Sequence, residues 1–220
     1  MTFFRFPRKE ELSDDGLTTD RIEAFSDGVF AIAITLLILE IRIPEVGPGK
    51  SLQSALLAVW PSYFAYLMSF LMIGIYWANH HYIFKLYKRT DHYFNLLNVL
   101  FLMCISFMPL PTSILGKYLL NDLQRPTAVQ FYALGMLLPA FCWMLCWLYA
   151  KRGYRLIDED LDEGFVHALT MQYIFSNIFY LAAYLAAFHS AIASLALNVG
   201  LTLLYMSPPR RPVYRSGRTP

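Results

Sequence analysis

Four side chains that could do chemistry lie within the first long apolar stretch of the sequence. RIEAFSDGVFAIAITLLILEI, residues 21–41, carries Arg21, Ser26 and Asp27 near its start and Thr35 further along. The stretch has the length of a membrane-spanning helix, in which an ionisable group usually faces protein or water and has a partner. Asp27 therefore predicts a structural network between helices, direct contact with a transported ion or proton, or solvation at the membrane interface.

The segment YWANHHYIF, in the next apolar stretch, holds polar groups at a similar depth. Asn79, His80 and His81 are candidate partners for Asp27, as is Arg21. The two histidines do not indicate a metal site, because adjacent residues point about 100° apart on a helix and no further ligand stands nearby at a suitable spacing.

The composition indicates an integral membrane protein. Of 220 residues, 57% are hydrophobic and 15% are charged, whereas soluble domains carry about 25% charged residues. The net charge of +2 and the lack of a basic–aromatic patch argue against nucleic-acid binding. Cys104, Cys142 and Cys146 lie in apolar runs and are typical of small buried hydrophobes. No nucleophile–base arrangement, phosphate loop or pair of catalytic carboxylates is present, so we expect neither an enzyme nor a cofactor.

Six apolar stretches are long enough, or nearly so, to cross a bilayer, which needs about 20 residues per helix. They are residues 22–43, 53–79, 92–115, 128–150, 164–188 and 190–206, of which the last is short. Continuous apolar runs favour helices over the alternating strands of a barrel. The sequence therefore predicts an all-α polytopic membrane protein with six transmembrane helices.

Lysine and arginine residues set the predicted orientation. Of the 18, 14 fall in the first 21 residues, in the loops after the second and fourth spans, and in the C-terminal tail. The positive-inside rule then places both termini in the cytoplasm. We predict a cytoplasmic segment over 1–20, a transmembrane domain over 21–206 and a basic cytoplasmic tail over 207–220.

Two charged segments of the predicted cytoplasmic side have simple interpretations. The tail arginines are expected to contact anionic membrane lipids. The acidic run from Asp158 to Glu163 is expected to form a solvated loop that caps the fifth helix, with a cation-attracting vestibule as the alternative.

The middle of the first span carries an apolar stripe. Ile32, Leu36 and Leu39 follow i, i+4 and i+7 spacing and share one helix face, with Thr35 beside them. Taken alone, such a stripe is more often lipid-facing or packed in a core than part of a pore.

The first span closely resembles the first helix of the transmembrane protein 175 family, which are potassium channels of lysosomes and prokaryotes. The family signature Arg-x-x-x-Phe-Ser-Asp is matched at Arg21, Phe25, Ser26 and Asp27. The match continues along the helix at Gly28, Ala31, Ile32, Thr35 and Leu39. YWANHHYIF resembles the family's Trp-and-His segment, and six spans fit a single repeat of the prokaryotic type.

The resemblance implies that the first helices line a central pore in a homotetramer. Ile32 would sit at the principal narrow point, and Leu36 and Leu39 would continue the pore-facing stripe. Thr35 would match a hydroxyl position implicated in cation selectivity. The chain would then be a cell-membrane channel that selects K⁺ over Na⁺ modestly, through apolar rings and without a carbonyl filter.

The resemblance also implies a network that ties the pore helix to its neighbours. Its members would be Arg21, Phe25, Ser26 and Asp27, completed by Trp77 with His80 or His81. The alternative function is a secondary or proton-coupled cation transporter, which would need an ionisable site at mid-membrane. A non-conducting membrane scaffold is the second alternative.

Overall fold

The protein is all-α, as predicted. The structure is a computed structural model that describes residues 18–49 and 51–216, so the predicted N-terminal segment lies almost wholly outside the described residues. The α-helices are α1 Asp20–Leu36, α2 Leu52–Ala58, α3 Trp60–Phe84, α4 His92–Phe107, α5 Pro109–Tyr118, α6 Arg125–Lys151, α7 Glu163–Ala186 and α8 Ala191–Tyr205. Short 3₁₀ helices follow α1 (Leu37–Glu40) and α6 (Arg152–Tyr154).

The helices map onto the six predicted stretches, two of which are interrupted. The second stretch is α2 and α3, with a bend of 49° between them at Val59. The third stretch is α4 and α5, which meet at Met108 where Pro109 opens α5. Proline has no N–H to donate and fits the first turn of a helix, so a new helix begins there.

By length and composition, not every stretch qualifies as a membrane span. In the described part of the chain, Asp20–Glu40, His92–Tyr118 and Arg125–Tyr154 do, and the bent α2–α3 pair makes a fourth. Helix α8 has 15 residues, which extend about 22 Å at 1.5 Å per residue. That is shorter than the roughly 30 Å hydrocarbon core of a bilayer.

Helix α6 is the centre of the bundle and packs against α4, α5, α7 and α8. Its Tyr132 and Trp147 are among the largest fully buried side chains. Close packing between neighbouring helices depends on small residues. A Cβ atom at Gly116 on α5 would come within 2.9 Å of the Cα atom of Ser62 on α3.

The loops at the predicted cytoplasmic end form one connected layer. Antiparallel bridges join Tyr87 to Ile157 and Leu161 to Tyr214, so the tail folds back on the loop between α6 and α7. Three ion pairs reinforce this layer: Lys88–Asp158 at 3.0 Å, Arg155–Asp91 at 3.0 Å and Arg215–Glu163 at 2.8 Å.

The acidic run is held in this layer. Asp162 accepts a hydrogen bond from the N–H of Phe165 and caps α7, which is the predicted fifth span. Arg215 pairs with Glu163 and lies over the Tyr154 ring, so this tail arginine is engaged by protein. The predicted contact of Arg218 with lipid lies outside the described residues.

Asp91 has an electrostatic environment that favours its ionised form. It caps α4 through the N–H of Phe94, accepts from the hydroxyl of Tyr149 at 2.8 Å and pairs with Arg155. Partial burial works against ionisation, but these donors outweigh it and hold the pKa of Asp91 below its ordinary value. The loop between α3 and α4 is thereby fixed to the end of α6.

Candidate functional site: the first helix and its anchor

Helix α1 has one face against the bundle and one face open. Ser26, Phe30, Ala33 and the following Leu37 are buried at i, i+4, i+7 and i+11. This spacing is that of a single helix face, and it packs against α3 and α4. The opposite face of α1 is exposed in the described part of the chain.

The predicted pore residues lie on the open face. Ile32 is 61% exposed, Leu36 43% and Leu39 70%. Fully exposing an aliphatic side chain to water forgoes about 1.5–3 kcal/mol relative to burial. An apolar stripe of this length requires lipid, a partner surface or a pore lining around it.

Thr35 also lies on the open face, between the larger apolar residues. Its hydroxyl donates to the carbonyl of Ala31 at 2.7 Å and lies 3.0 Å from the carbonyl of Ile32. Because the proton is directed at the helix backbone, the lone pairs of the oxygen point away from it. Thr35 can thus act as an acceptor toward a donor or a cation on the open face.

A chain of three hydrogen bonds anchors the buried face of α1. Ser26 Oγ donates to the carbonyl of Ile22 at 2.7 Å and accepts from Asn98 Nδ2 of α4 at 3.0 Å. Asn98 Oδ1 pairs in turn with His80 Nε2 of α3 at 3.2 Å. The amide orientation that satisfies Ser26 leaves an acceptor facing His80, so Nε2 of the imidazole must carry a proton.

The imidazole of His80 is enclosed by aromatic rings. It stacks on Phe84 with the ring centroids 4.1 Å apart and meets the edge of Phe30 at 5.5 Å. Phe101 lies 6.3 Å away on α4. His80 is only 1% exposed, so Asn98 is the polar partner that makes its burial tolerable.

The structure separates the two histidine candidates. His80 lies in the anchor with Ser26, whereas the side chain of His81 is exposed. Of the two alternatives that the sequence left open, His80 is the one that joins the anchor, because consecutive helical residues point in different directions. No group of three or more His, Cys, Asp or Glu side chains is placed to hold a metal within the described ranges.

The partner of Asp27 is Trp77, which the resemblance placed in its network, and not Arg21, Asn79, His80 or His81. Trp77 Nε1 on α3 donates to Asp27 Oδ1 at 3.0 Å. Trp77 is 50% exposed, and Asp27 is exposed as well. The signature residues Arg21 and Phe25 are also exposed, on the open side of α1. The signature thus divides between an internal anchor at Ser26 and an open surface.

Sequence reasoning missed Asn98. A signal was present, since NLLNVLF places amides within a strongly apolar span, where a polar side chain requires a partner. A second buried set, Ser69 with Thr112 at 2.7 Å and Tyr132 at 3.2 Å, ties α3 to α5 and α6. Buried hydroxyls and amides, rather than charges, therefore hold these helices together.

Comparison with known proteins places the chain among ion channels. Residues 21–109 match the model of a family described as the endosomal/lysosomal potassium channel TMEM175. A protein of Chamaesiphon minutus named a potassium channel is 43% identical, across 85% of this chain and 93% of its own length. A potassium channel of Streptomyces collinus is also 43% identical, across 84% and 89%.

A solved structure agrees with the fold described above. The crystal structure of a TMEM175 homologue from Chamaesiphon minutus, described as a lysosomal potassium-selective channel homologue, superposes with a TM-score of 0.77. It is 42% identical and covers 86% of this chain and 96% of that one.

Proposed function

Because this chain belongs to the TMEM175 family of ion channels, we propose that it conducts potassium ions across a membrane and is not an enzyme. The observation that carries the proposal is the open face of α1, where Ile32, Leu36 and Leu39 form an exposed apolar stripe with Thr35 among them. Periodicity alone could not distinguish a pore-lining stripe from one that faces lipid or a core. The family assignment favours the pore.

The proposed channel is a homotetramer in the cell membrane. One chain supplies one such helix face, and several copies around an axis are needed to enclose a pore. Six spans with both termini in the cytoplasm are supported by the alternation of basic and less basic loops along the chain. The exposed signature residues Arg21 and Phe25 would then face a neighbouring subunit.

Selection of K⁺ over Na⁺ in this proposal rests on dehydration. A ring of Ile32 side chains has no oxygen to replace the water of an ion, so an ion must keep part of its hydration shell as it passes. Potassium holds that water less tightly than sodium and therefore crosses at lower energy. A narrower ring would lose its water and close, so ring width would act as both filter and gate.

The anchor has a positioning role in this proposal. Ser26 precedes Ile32 by six residues, or about 9 Å along the helix. Fixing Ser26 to Asn98 and Asp27 to Trp77 sets the rotation of α1 about its axis. That rotation determines whether the ring at Ile32 or a flanking residue points to the axis.

Flux into proteoliposomes tests the proposal. With charge balance provided in every sample, vesicles that contain purified protein should take up K⁺ faster than Na⁺ or protons, with no second ion carried in a coupled step and faster than a carrier that rocks between two states. Chemical cross-linking of the same vesicles should give bands up to the tetramer. Flux that saturates at carrier rates, or that requires a proton gradient, would replace the channel with a secondary or proton-coupled transporter.

A further inference from the structure

A cavity lies away from the open face of α1, between α3, α6, α7 and the tail. We refer to it as the inner cavity. Its volume is about 560 Å³, within the range of roughly 300–1,000 Å³ that small-molecule sites occupy. Along α3 it extends from Met72 to Tyr82, ten residues or about 15 Å. The inner cavity is therefore long enough for an extended chain.

The polarity of the inner cavity changes along its length. Near its mouth lie Asn79, Gln172 and Arg210, which is the one charged residue of its wall in the part of the chain that the structure describes. At its far end the hydroxyl of Tyr180 already contacts Met72 Sδ at 3.6 Å, so that group is not free for a ligand. Between the two ends the wall is mostly apolar, with Tyr76, Ser176 and Asn177 as further polar groups. A mostly apolar wall with a positive charge at one end fits an anionic amphiphile.

The folded tail forms part of the wall at this polar end. The hydroxyl of Tyr82 donates to the backbone carbonyl of Arg210, which fixes the position of this residue at the rim. Within the described ranges the guanidinium of Arg210 makes no ion pair, unlike that of Arg215. A positive charge at a fixed place, next to an apolar cavity, favours an anionic head group.

The outer wall of the inner cavity gives access from the membrane. Phe175 and Phe179 of α7 line it and are 56% and 49% exposed in this chain. A lipid chain can enter between such side chains without crossing water.

We propose that the inner cavity binds an anionic phospholipid of the cytoplasmic leaflet, with its phosphate against Arg210 and one acyl chain along α3 toward Met72. The proposal rests on the membrane orientation given above and does not depend on potassium conduction. The carbonyl oxygen of Asn79 remains as an acceptor for a head-group hydroxyl, because its Nδ2 already donates to the backbone of Ile75.

Native mass spectrometry of the delipidated full chain, titrated with phosphatidylglycerol, tests this proposal. Arg210→Gln should weaken binding about fivefold, the equivalent of the roughly 1 kcal/mol that one basic side chain contributes near an anionic surface. Arg211→Gln is the matched control, because it removes one positive charge from the adjacent residue, which does not line the cavity. This variant should bind phosphatidylglycerol like wild type. Ala168→Phe puts a larger side chain into the cavity wall and should weaken binding with Arg210 in place; Ala168→Leu serves if the larger replacement does not fold.

Three results would overturn the proposal. Equal losses in the two arginine variants would indicate non-specific attraction of lipid to the basic tail. Binding unchanged in a folded Ala168 variant would place the acyl chain outside the inner cavity. Glycerol 3-phosphate, which has the phosphate but no chains, should not compete; if it does, the site recognises a soluble anion.

Discussion

Replacing Asn98 with alanine removes the amide that joins three helices. The variant loses the bond from Asn98 Nδ2 to Ser26 Oγ and the bond from His80 to Asn98 Oδ1. Ser26 keeps its bond to the Ile22 carbonyl, so its hydroxyl stays satisfied. His80, 1% exposed among aromatic rings, keeps no partner for its Nε2–H.

The size of the effect follows from these groups. A net hydrogen bond contributes about 1 kcal/mol, and a buried polar group left unpaired costs about 1–3 kcal/mol. Within a membrane, where the unfolded reference also finds partners, single bonds average about 0.6 kcal/mol. Asn98→Ala should therefore destabilise the chain by roughly 2–3 kcal/mol. At about 2–4 °C per kcal/mol for a chain of this size, the melting temperature should fall by about 5–10 °C.

Thermal unfolding of the detergent-solubilised protein measures this effect. Asn95→Ala is the matched control, since it makes the same substitution one turn earlier on α4, at an amide whose buried oxygen has no partner. It should melt within about 2 °C of wild type, as substitutions that break no hydrogen bond do. Equal melting temperatures for Asn98→Ala and Asn95→Ala would refute the anchor, as would full additivity of Asn98→Ala with Ser26→Ala, because linked residues should couple.

Other parts of the account make separate predictions. Gly116→Val should lower the melting temperature by several degrees or block folding, because its Cβ would meet the backbone of Ser62 at 2.9 Å; an unchanged melting curve would contradict the packing of α3 on α5. Asp27→Ala should reduce the tetrameric fraction in light scattering through loss of its bond with Trp77, while the assembled fraction keeps its K⁺/Na⁺ flux ratio; normal assembly without conduction would instead place Asp27 in the ion path. The lowered pKa of Asp91 means that its stabilisation is present above the ordinary carboxyl value of about 3.9 and is lost as pH falls below it. Wild type should therefore lose melting temperature more steeply than Asp91→Asn between pH 5 and 3; asparagine still caps a helix, so parallel pH curves would rule out the charge effect.

The helices of this fold were predictable, and prolines marked the places where two of the stretches are interrupted. Apolar runs are local and directly visible, so the six stretches correspond to α1 through α8. The bend at Val59 coincides with Pro61 in the first turn of α3, but the angle of 49° depends on how α2 and α3 pack. Pro109 predicts the break in the third stretch, because proline cannot donate a backbone hydrogen bond within a helix.

The exposed face of the first helix was predictable from the sequence, and the hydrogen-bond partners of its polar residues were less so. The i, i+4, i+7 pattern predicted one face for Ile32, Leu36 and Leu39, and all three are exposed, Ile32 and Leu36 on α1 and Leu39 on the 3₁₀ helix that follows it. The choice of Trp77 for Asp27, and of Asn98 for Ser26, joins residues 50 and 72 positions apart. Such pairs depend on helix packing: the family resemblance supplied Trp77, whereas nothing in the local pattern of α1 pointed to the amide of Asn98.

The reversal potential under opposed K⁺ and Na⁺ solutions tests the central claim most directly. Single channels in planar bilayers should show a potassium-favouring potential for wild type. Ile32→Asn should raise conductance and move the potential toward zero, because an amide oxygen can replace lost water. Ile38→Asn, the same change at an exposed residue outside the predicted stripe, should leave the potential unchanged. A wild-type potential in Ile32→Asn, or equal shifts in both variants, would contradict a filter formed by the apolar ring at Ile32.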